Sequence, residues 1–215
     1  MATPAELRQA LADLNILASR DLGRIWRGLQ EGDSAAEALH DILPALIDQY
    51  GVAASALASD WYDDLRESKG VGGRFAAIPA DVKDTGAHAL IGWALDAATD
   101  DGSLVALLEG GVQRRVVNFG RFTVMGSSVA DPRSDGWQRL GQGANCAFCD
   151  LLISRGSVYS EASADFGSHD HCNCIAVPAF EGEPREVKAY KPGTREGSKA
   201  GGNEYALAQA WIDNH

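Results

Sequence analysis

The segment 7–29, LRQALADLNILASRDLGRIWRGL, carries the pattern that decides the fold of this chain. Its apolar residues recur at steps of three and four and form one stripe: Leu7, Leu11, Leu14, Ala18, Leu22, Ile25 and Leu29. This spacing predicts a long amphipathic helix with one buried face. Pro4 lies near its start, where the missing N–H is not needed. Gly28, Gly32 and Asp33 are predicted to end it.

Helical periodicity continues along the chain and predicts four more helices. The second opens with a capping box at Ser34–Glu37, and Pro44 should kink it. Gly51 is predicted to break the chain before a third helix over about 52–67. Thr85 is predicted to cap a fourth.

The fifth predicted helix spans about 103–128 and has two distinct faces. Its apolar face is predicted to be buried and carries Val105, Leu108, Val112, Val116, Phe119, Phe122, Met125 and Val129. A polar stripe runs beside it, formed by Arg114, Arg115, Asn118 and Arg121. We expect this stripe to be a solvated face, with contact to a partner as the alternative.

Beyond residue 130 the pattern changes to short apolar segments separated by glycines and polar turns. These segments predict strands at Gly136–Leu140, Ser157–Tyr159 and Cys174–Val177. The predicted fold class is therefore α+β, mainly α, with an N-terminal helical bundle over 1–130. A small mixed Cys/His subdomain, stapled by zinc, is predicted over 131–180.

The C-terminal residues form two further segments. Residues 181–202 are rich in Gly, Glu and Lys and predict a flexible linker. Residues 203–215 predict one short helix that presents Leu207 and Trp211.

All four cysteines lie in the motif Cys146-Ala-Phe-Cys149 … His169-Asp-His171-Cys172-Asn-Cys174. A tight CxxC turn lets two thiolates meet one ion, and sulfur and imidazole suit tetrahedral zinc. The preferred zinc ligands are Cys146, Cys149, Cys172 and Cys174, with His169 able to replace one of the last two. His171 is the least expected ligand. Two disulfides, or buried thiols without a metal, are the alternatives.

Charge and composition limit the classes of function that this chain is expected to have. Thirty acidic against nineteen basic side chains give a net charge of −11, which argues against non-specific coating of DNA. No export signal or membrane span is expected. The HExxH, deaminase, P-loop and GxGxxG motifs are absent from the sequence. We therefore expect a structural zinc and no enzymatic activity.

The order of the motif residues resembles the Mu F-like phage head morphogenesis domain. The matching residues are Cys146, Cys149, Gly156, His169, Cys172, Cys174 and Pro178, with Asp170 at a position where that family usually has Pro. The chain is more similar to minor capsid proteins of actinobacterial phages and prophages. That likeness covers about residues 7–180 and includes segments 60–65, 118–123, 146–156 and 169–174.

The resemblance implies a structural minor capsid protein at the portal vertex, which acts in head morphogenesis and in DNA packaging or delivery. The expected partners are the phage portal protein, the major capsid protein, or both, with packaged DNA a transient contact. Neither a membrane nor a small-molecule substrate is expected. The implied location is the virion head interior near the portal, with the host cytoplasm during assembly.

An enzyme is the alternative function: a capsid maturation protease, or an HNH-like zinc nuclease of a phage head module. Asp170-His171 has a superficial likeness to the nuclease motif. That motif also needs an Asn and a final His on a following helix, and only the distant Asn203 and His215 are available.

Overall fold

A computed structural model describes residues 2–29, 35–141, 149, 152–153, 159 and 166–180. Within these ranges the chain is mainly helical, as predicted. Its elements are α1 (Pro4–Leu29), α2 (Ala35–Ser68), α3 (Ala87–Ala97), α4 (Asp101–Ala130), β1 (Trp137–Leu140) and β2 (Ile175–Pro178). The predicted linker at 181–202 and terminal helix at 203–215 lie outside the described residues, as does Ser34 of the predicted capping box.

Helix α1 follows its predicted stripe closely. Leu7, Leu11, Ala18 and Leu22 are buried, whereas Leu14, Ile25 and Leu29 pack at the edge of the core. Trp26 is buried in the last part of the helix. The buried face of α1 packs on α2 and α4. Helix α3 also packs on α2 and α4.

The predicted break at Gly51 is wrong, because α2 runs unbroken through it and merges the second and third predicted helices. Pro44 also lies inside α2. A Cβ at position 51 would lie 2.5 Å from the Phe119 ring of α4. Gly51 therefore provides room for a neighbouring helix instead of ending its own.

Helix α2 contains a long apolar stretch. An 18-residue window within Glu37–Ser68 has a mean hydropathy of 1.2, so among the described residues this helix is long and apolar enough, by length and composition alone, to cross a membrane. In the structure its apolar side chains form the centre of the bundle, with Leu39, Leu43, Ile47 and Tyr62 buried. A central helix in a water-soluble bundle has the same composition.

The starts of α3 and α4 differ from the prediction. The N-cap of α3 is Gly86, which has a positive φ of 67° and no side-chain cap, so Thr85 does not cap it. Helix α4 begins earlier than expected, because the Asp100 side chain accepts a hydrogen bond of 2.7 Å from the Ser103 backbone N–H. These two residues form a capping box.

The end of α4 also differs from the prediction. Val129 is 41% exposed. In the last turns Ser127 and Ser128 face inward instead: Ser127 Oγ accepts from the Ile78 N–H, and Ser128 Oγ donates to the Val124 carbonyl.

Strands β1 and β2 form an antiparallel pair in which Trp137 is opposite Pro178 and Leu140 is opposite Ile175. All four residues of β2 are buried, and the pair packs on α4, while β2 also reaches α1. Tyr159 of the third predicted strand forms a bridge to Trp137, and Ser157 and Val158 lie outside the described residues. The strands and helices share one hydrophobic core.

A buried ion pair joins the ends of α2 and α4. Arg66 Nε lies 2.8 Å from Asp131 Oδ2, and both side chains are almost fully buried. The remaining guanidinium N–H groups donate to the carbonyls of Val71, Gly72 and Gly73. Arg66 therefore organises the chain that leaves α2 and fixes the point where α4 ends and β1 follows.

Candidate metal centre

The candidate ligands lie where a tight turn meets β2. Cys172 N donates to the His169 carbonyl at 3.2 Å, and His171 takes a positive φ of 60°. Cys172 and Cys174 therefore lie immediately before the buried strand β2, which begins at Ile175. The position of both thiols is therefore set by a strand anchored in the core.

Three ligand atoms converge at this turn. Cys149 Sγ, a ring nitrogen of His169 and Cys172 Sγ all lie within 4.8 Å of one another. The two sulfurs are 3.7 Å apart. With Zn–S bonds of about 2.3 Å, two sulfurs on one tetrahedral zinc ion lie about 3.8 Å apart. The spacing of this pair is therefore compatible with two ligands of one zinc ion, and in the structure the two thiols are not joined by a disulfide.

The other sequence-predicted ligands take different places. Cys174 is buried and interacts through its thiol with Cys149 and Cys172, so it lies beside the three-ligand group. Cys146 lies outside the described residues. His171 is exposed, with Nδ1 3.1 Å from Gln113 Oε1, and it is not among the converging ligand atoms.

The surroundings favour the thiolate form of Cys172. Hydrogen bonds from Cys149 and Cys174, together with the charge of Arg121, lower the pKa of the Cys172 thiol far below its ordinary value, although burial opposes this. The thiolate is the form of cysteine that binds a metal.

Arg121 belongs to the site, although the sequence pattern assigns it to an exposed polar stripe. In the structure this residue is buried, with 1% of its surface exposed. Nε donates to the Cys174 carbonyl at 2.9 Å, and Nη2 donates to the Cys172 carbonyl at 2.7 Å. The turn at residues 169–174, here called the Cys turn, covers this face of α4. The spacing of apolar residues in a helix does not show that a later loop will cover its polar face. Arg121 therefore holds the ligand-bearing backbone in place.

Arg139 of β1 is a second buried cation beside the cluster. Nη1 lies 3.7 Å from Cys149 Sγ, and Nη2 donates to the Gly167 carbonyl. The guanidinium carbons of Arg139 and Arg121 lie 3.8 and 4.7 Å from the centre of the Phe166 ring. No signal in the sequence distinguished Arg139 from an ordinary outward-facing strand residue.

These two cations provide a test of whether a metal fits. No carboxylate of the described residues lies within ion-pair distance of either guanidinium. Buried charges need partners, and the thiolates are the nearest negative groups. Burial lowers the pKa of Arg121 to about 10, while the charge of Cys172 acts in the opposite direction. A zinc ion with three or four thiolates has a net negative charge of about −1 to −2, so it suits two buried arginines.

The turn is docked in a notch on α4. A Cβ at Gly110 would lie 2.8 Å from His171 Nε2, so only glycine admits the imidazole at this distance. One turn further along, Arg114 Nε lies 3.2 Å from Asp170 Oδ1. Helix α4 thus contacts the turn through Gly110 and Arg114.

Comparison with known proteins places the chain in a family. Searches of curated proteins and of solved structures found no match. A family model described as "VG15 protein" matches residues 2–197, which is most of the chain. The chain therefore belongs to the VG15 protein family, a family of phage proteins.

Proposed function

We propose that this phage protein is a structural minor capsid protein of the Mu F-like type, which acts at the portal vertex in head morphogenesis. Family membership supports the phage context. The observation that carries the structural role is the burial of the Cys cluster: Cys149, Cys172 and Cys174 are 2%, 8% and 3% exposed. Structural zinc sites are closed in this way, whereas catalytic sites keep a position open for water or substrate.

The proposed metal is one zinc ion per chain. Cys149, Cys172 and Cys174 would supply sulfur ligands, with His169 or Cys146 completing the set. When bound, zinc would join the segment around residue 149 to the turn before β2 and so stabilise the packing of the two-stranded sheet on the helices. The protein's part is to favour the thiolate form of Cys172 and to offset negative charge at the cluster with Arg121 and Arg139.

The proposed partners are the portal protein, the major capsid protein, or both, inside the head and, during assembly, in the host cytoplasm. Packaged DNA would be a transient contact, because a chain of net charge −11 does not bind a phosphate backbone strongly along its length. Neither a membrane nor a small-molecule substrate forms part of this proposal.

Co-expression with the portal protein of the same phage tests the proposal. We expect the two proteins to elute together on size exclusion, and we expect Cys149→Ser to weaken the complex by loosening the zinc-stapled end. His171→Gln is the matched control, since His171 lies in the same turn but outside the converging ligand atoms. Failure to associate with the portal protein, with the fold intact, would contradict the assignment to the portal vertex.

The enzyme alternative has its own experiment. Purified zinc-loaded protein is incubated with DNA and, separately, with major capsid protein, and the products are resolved on gels. We expect no cleavage. Cleavage that disappears in His171→Ala would instead support the nuclease or protease.

A further inference from the structure

A polar pocket of about 260 Å³ lies beside the Cys turn and outside the metal centre. Its wall is formed by Arg114, Arg115 and Asn118 of α4, together with Gly167 and Ser168 of the segment before the turn. Pockets for drug-sized ligands usually measure about 300–1,000 Å³. This recess therefore suits one small polar group.

Asn118 presents hydrogen-bond donors to this pocket. Its Oδ1 accepts from Arg121 Nη1 at 2.7 Å and from Ser168 Oγ at 3.1 Å. Since Arg121 can only donate, this assignment of the amide oxygen is fixed by chemistry. Among the described residues, the Nδ2 amide group has no hydrogen-bond partner.

Two arginines add positive charge. Arg115 is held by hydrogen bonds to the carbonyls of Thr85, Gly86 and Gly111. Arg114 lies next to it, with its side chain 34% exposed and Nε near Asp170. Within the described part of the chain, the terminal nitrogens of Arg114 make no hydrogen bond. Burial and, next, the charge of Arg114 lower the pKa of Arg115, while the carboxylates of Asp170 and Asp84 act in the opposite direction.

We propose that this pocket binds a phosphate group, either as free phosphate or within a nucleic acid strand. Arg114, Arg115 and Asn118 line the pocket with guanidinium and amide N–H groups, and a phosphate group offers these donors more oxygens and more negative charge than a carboxylate does. Arginine forks match phosphate oxygens in geometry and charge. A single phosphate contact is also compatible with a chain of net charge −11.

Titration of the full chain with inorganic phosphate, followed by NMR at constant ionic strength, tests the proposal. We expect saturable shifts confined to residues 114–118 and 166–168. Arg114→Gln should weaken binding about tenfold, the effect of losing one charge-assisted hydrogen bond. Arg24→Gln is the matched control, because Arg24 forms an ion pair of the same 3.2 Å length with Asp21 on α1.

Asn118→Asp is the second variant, because it keeps both accepted hydrogen bonds and replaces the donor by a negative charge. We expect it to bind phosphate at least tenfold more weakly while its melting temperature stays at or above that of the parent. Competition by a short single-stranded DNA without terminal phosphates indicates a phosphodiester ligand, and its absence indicates free phosphate. Acetate binding as tight as phosphate, or phosphate binding unchanged in both variants, would overturn the proposal.

Discussion

Gly110 decides whether the ligand-bearing turn can lie against α4. An added Cβ would lie 2.8 Å from His171 Nε2 and 3.3 Å from the Asp170 side chain. We expect Gly110→Ala to push the turn outward, to lower the free energy of unfolding by about 1–3 kcal/mol and to weaken zinc binding. Urea denaturation and competition with a zinc chelator measure the two effects.

Gly126→Ala is the control for this substitution, because it lies in the same helix with nothing within 4 Å of the added Cβ. Alanine is the better helix former, so this change should stabilise the protein by up to about 1 kcal/mol. Equal zinc affinity in Gly110→Ala and the parent would contradict the role of the notch.

Arg121 is predicted to be the most sensitive cation in the chain. Arg121→Met removes the donors to the carbonyls of Cys172 and Cys174 and leaves these buried acceptors without that partner. We expect a loss of about 3 kcal/mol in the free energy of unfolding. Arg27→Met, which removes an exposed side chain whose hydrogen-bond partner among the described residues is the Gly23 carbonyl, should change it by less than about 0.5 kcal/mol. Similar losses in both variants by urea denaturation would show that Arg121 does not organise the site.

Helices α2 and α4 approach closely because glycines replace side chains at their crossing. A Cβ at Gly51 would meet the Phe119 ring at 2.5 Å. Gly51→Ala should therefore lower the melting temperature, although alanine favours helix, whereas Gly23→Ala on the open face of α1 should raise it slightly. Thermal denaturation followed by circular dichroism compares the two, and an increase in both would refute the close-contact interpretation.

The same crossing shows why some elements were predictable and others were not. The stripe of α1 follows from spacing alone, because one face of a regular helix meets one core. A glycine at position 51 is compatible with a helix break and equally with a close contact between two helices. The sequence does not distinguish these, because the contact depends on the position of Phe119 in the folded protein. Likewise, the polar stripe on α4 predicts that Arg121 is exposed, and only the structure shows that the Cys turn covers it. Cys149, His169 and Cys172 all belong to the Cys/His motif, so the sequence could name them as candidate metal ligands, and the structure brings their ligand atoms within 4.8 Å of one another.

Zinc content is expected to control the stability of the molecule as a unit, since the strands and helices share one core. Elemental analysis should give about one zinc per chain. Removal with a chelator should lower the melting temperature by roughly 5–10 °C, while the α-helical circular dichroism signal at low temperature changes little.

The pH dependence of zinc binding is set by the ligands other than Cys172, because the pKa of the Cys172 thiol already lies far below its ordinary value. Thiolate ligands must lose their protons, so protons compete with the metal and zinc affinity falls as the pH falls. The stabilisation by zinc should therefore be present at neutral pH and disappear on acidification. A melting temperature that is the same with and without chelator at pH 7.5 would refute a structural metal.

The packing of β2 on α1 has a consequence for how the protein is made. Arg8 near the start of α1 donates to the carbonyl of Gly141, a residue 133 positions later. On the ribosome, α1 emerges first, α2 and α4 follow and cover most of its apolar face, and β2 arrives on the order of ten seconds after α1. During that interval the part of the core that β2 fills is open to water and to other chains. Completion of translation through about residue 180 is therefore the step that closes the core, and chains released earlier are the ones we expect to aggregate.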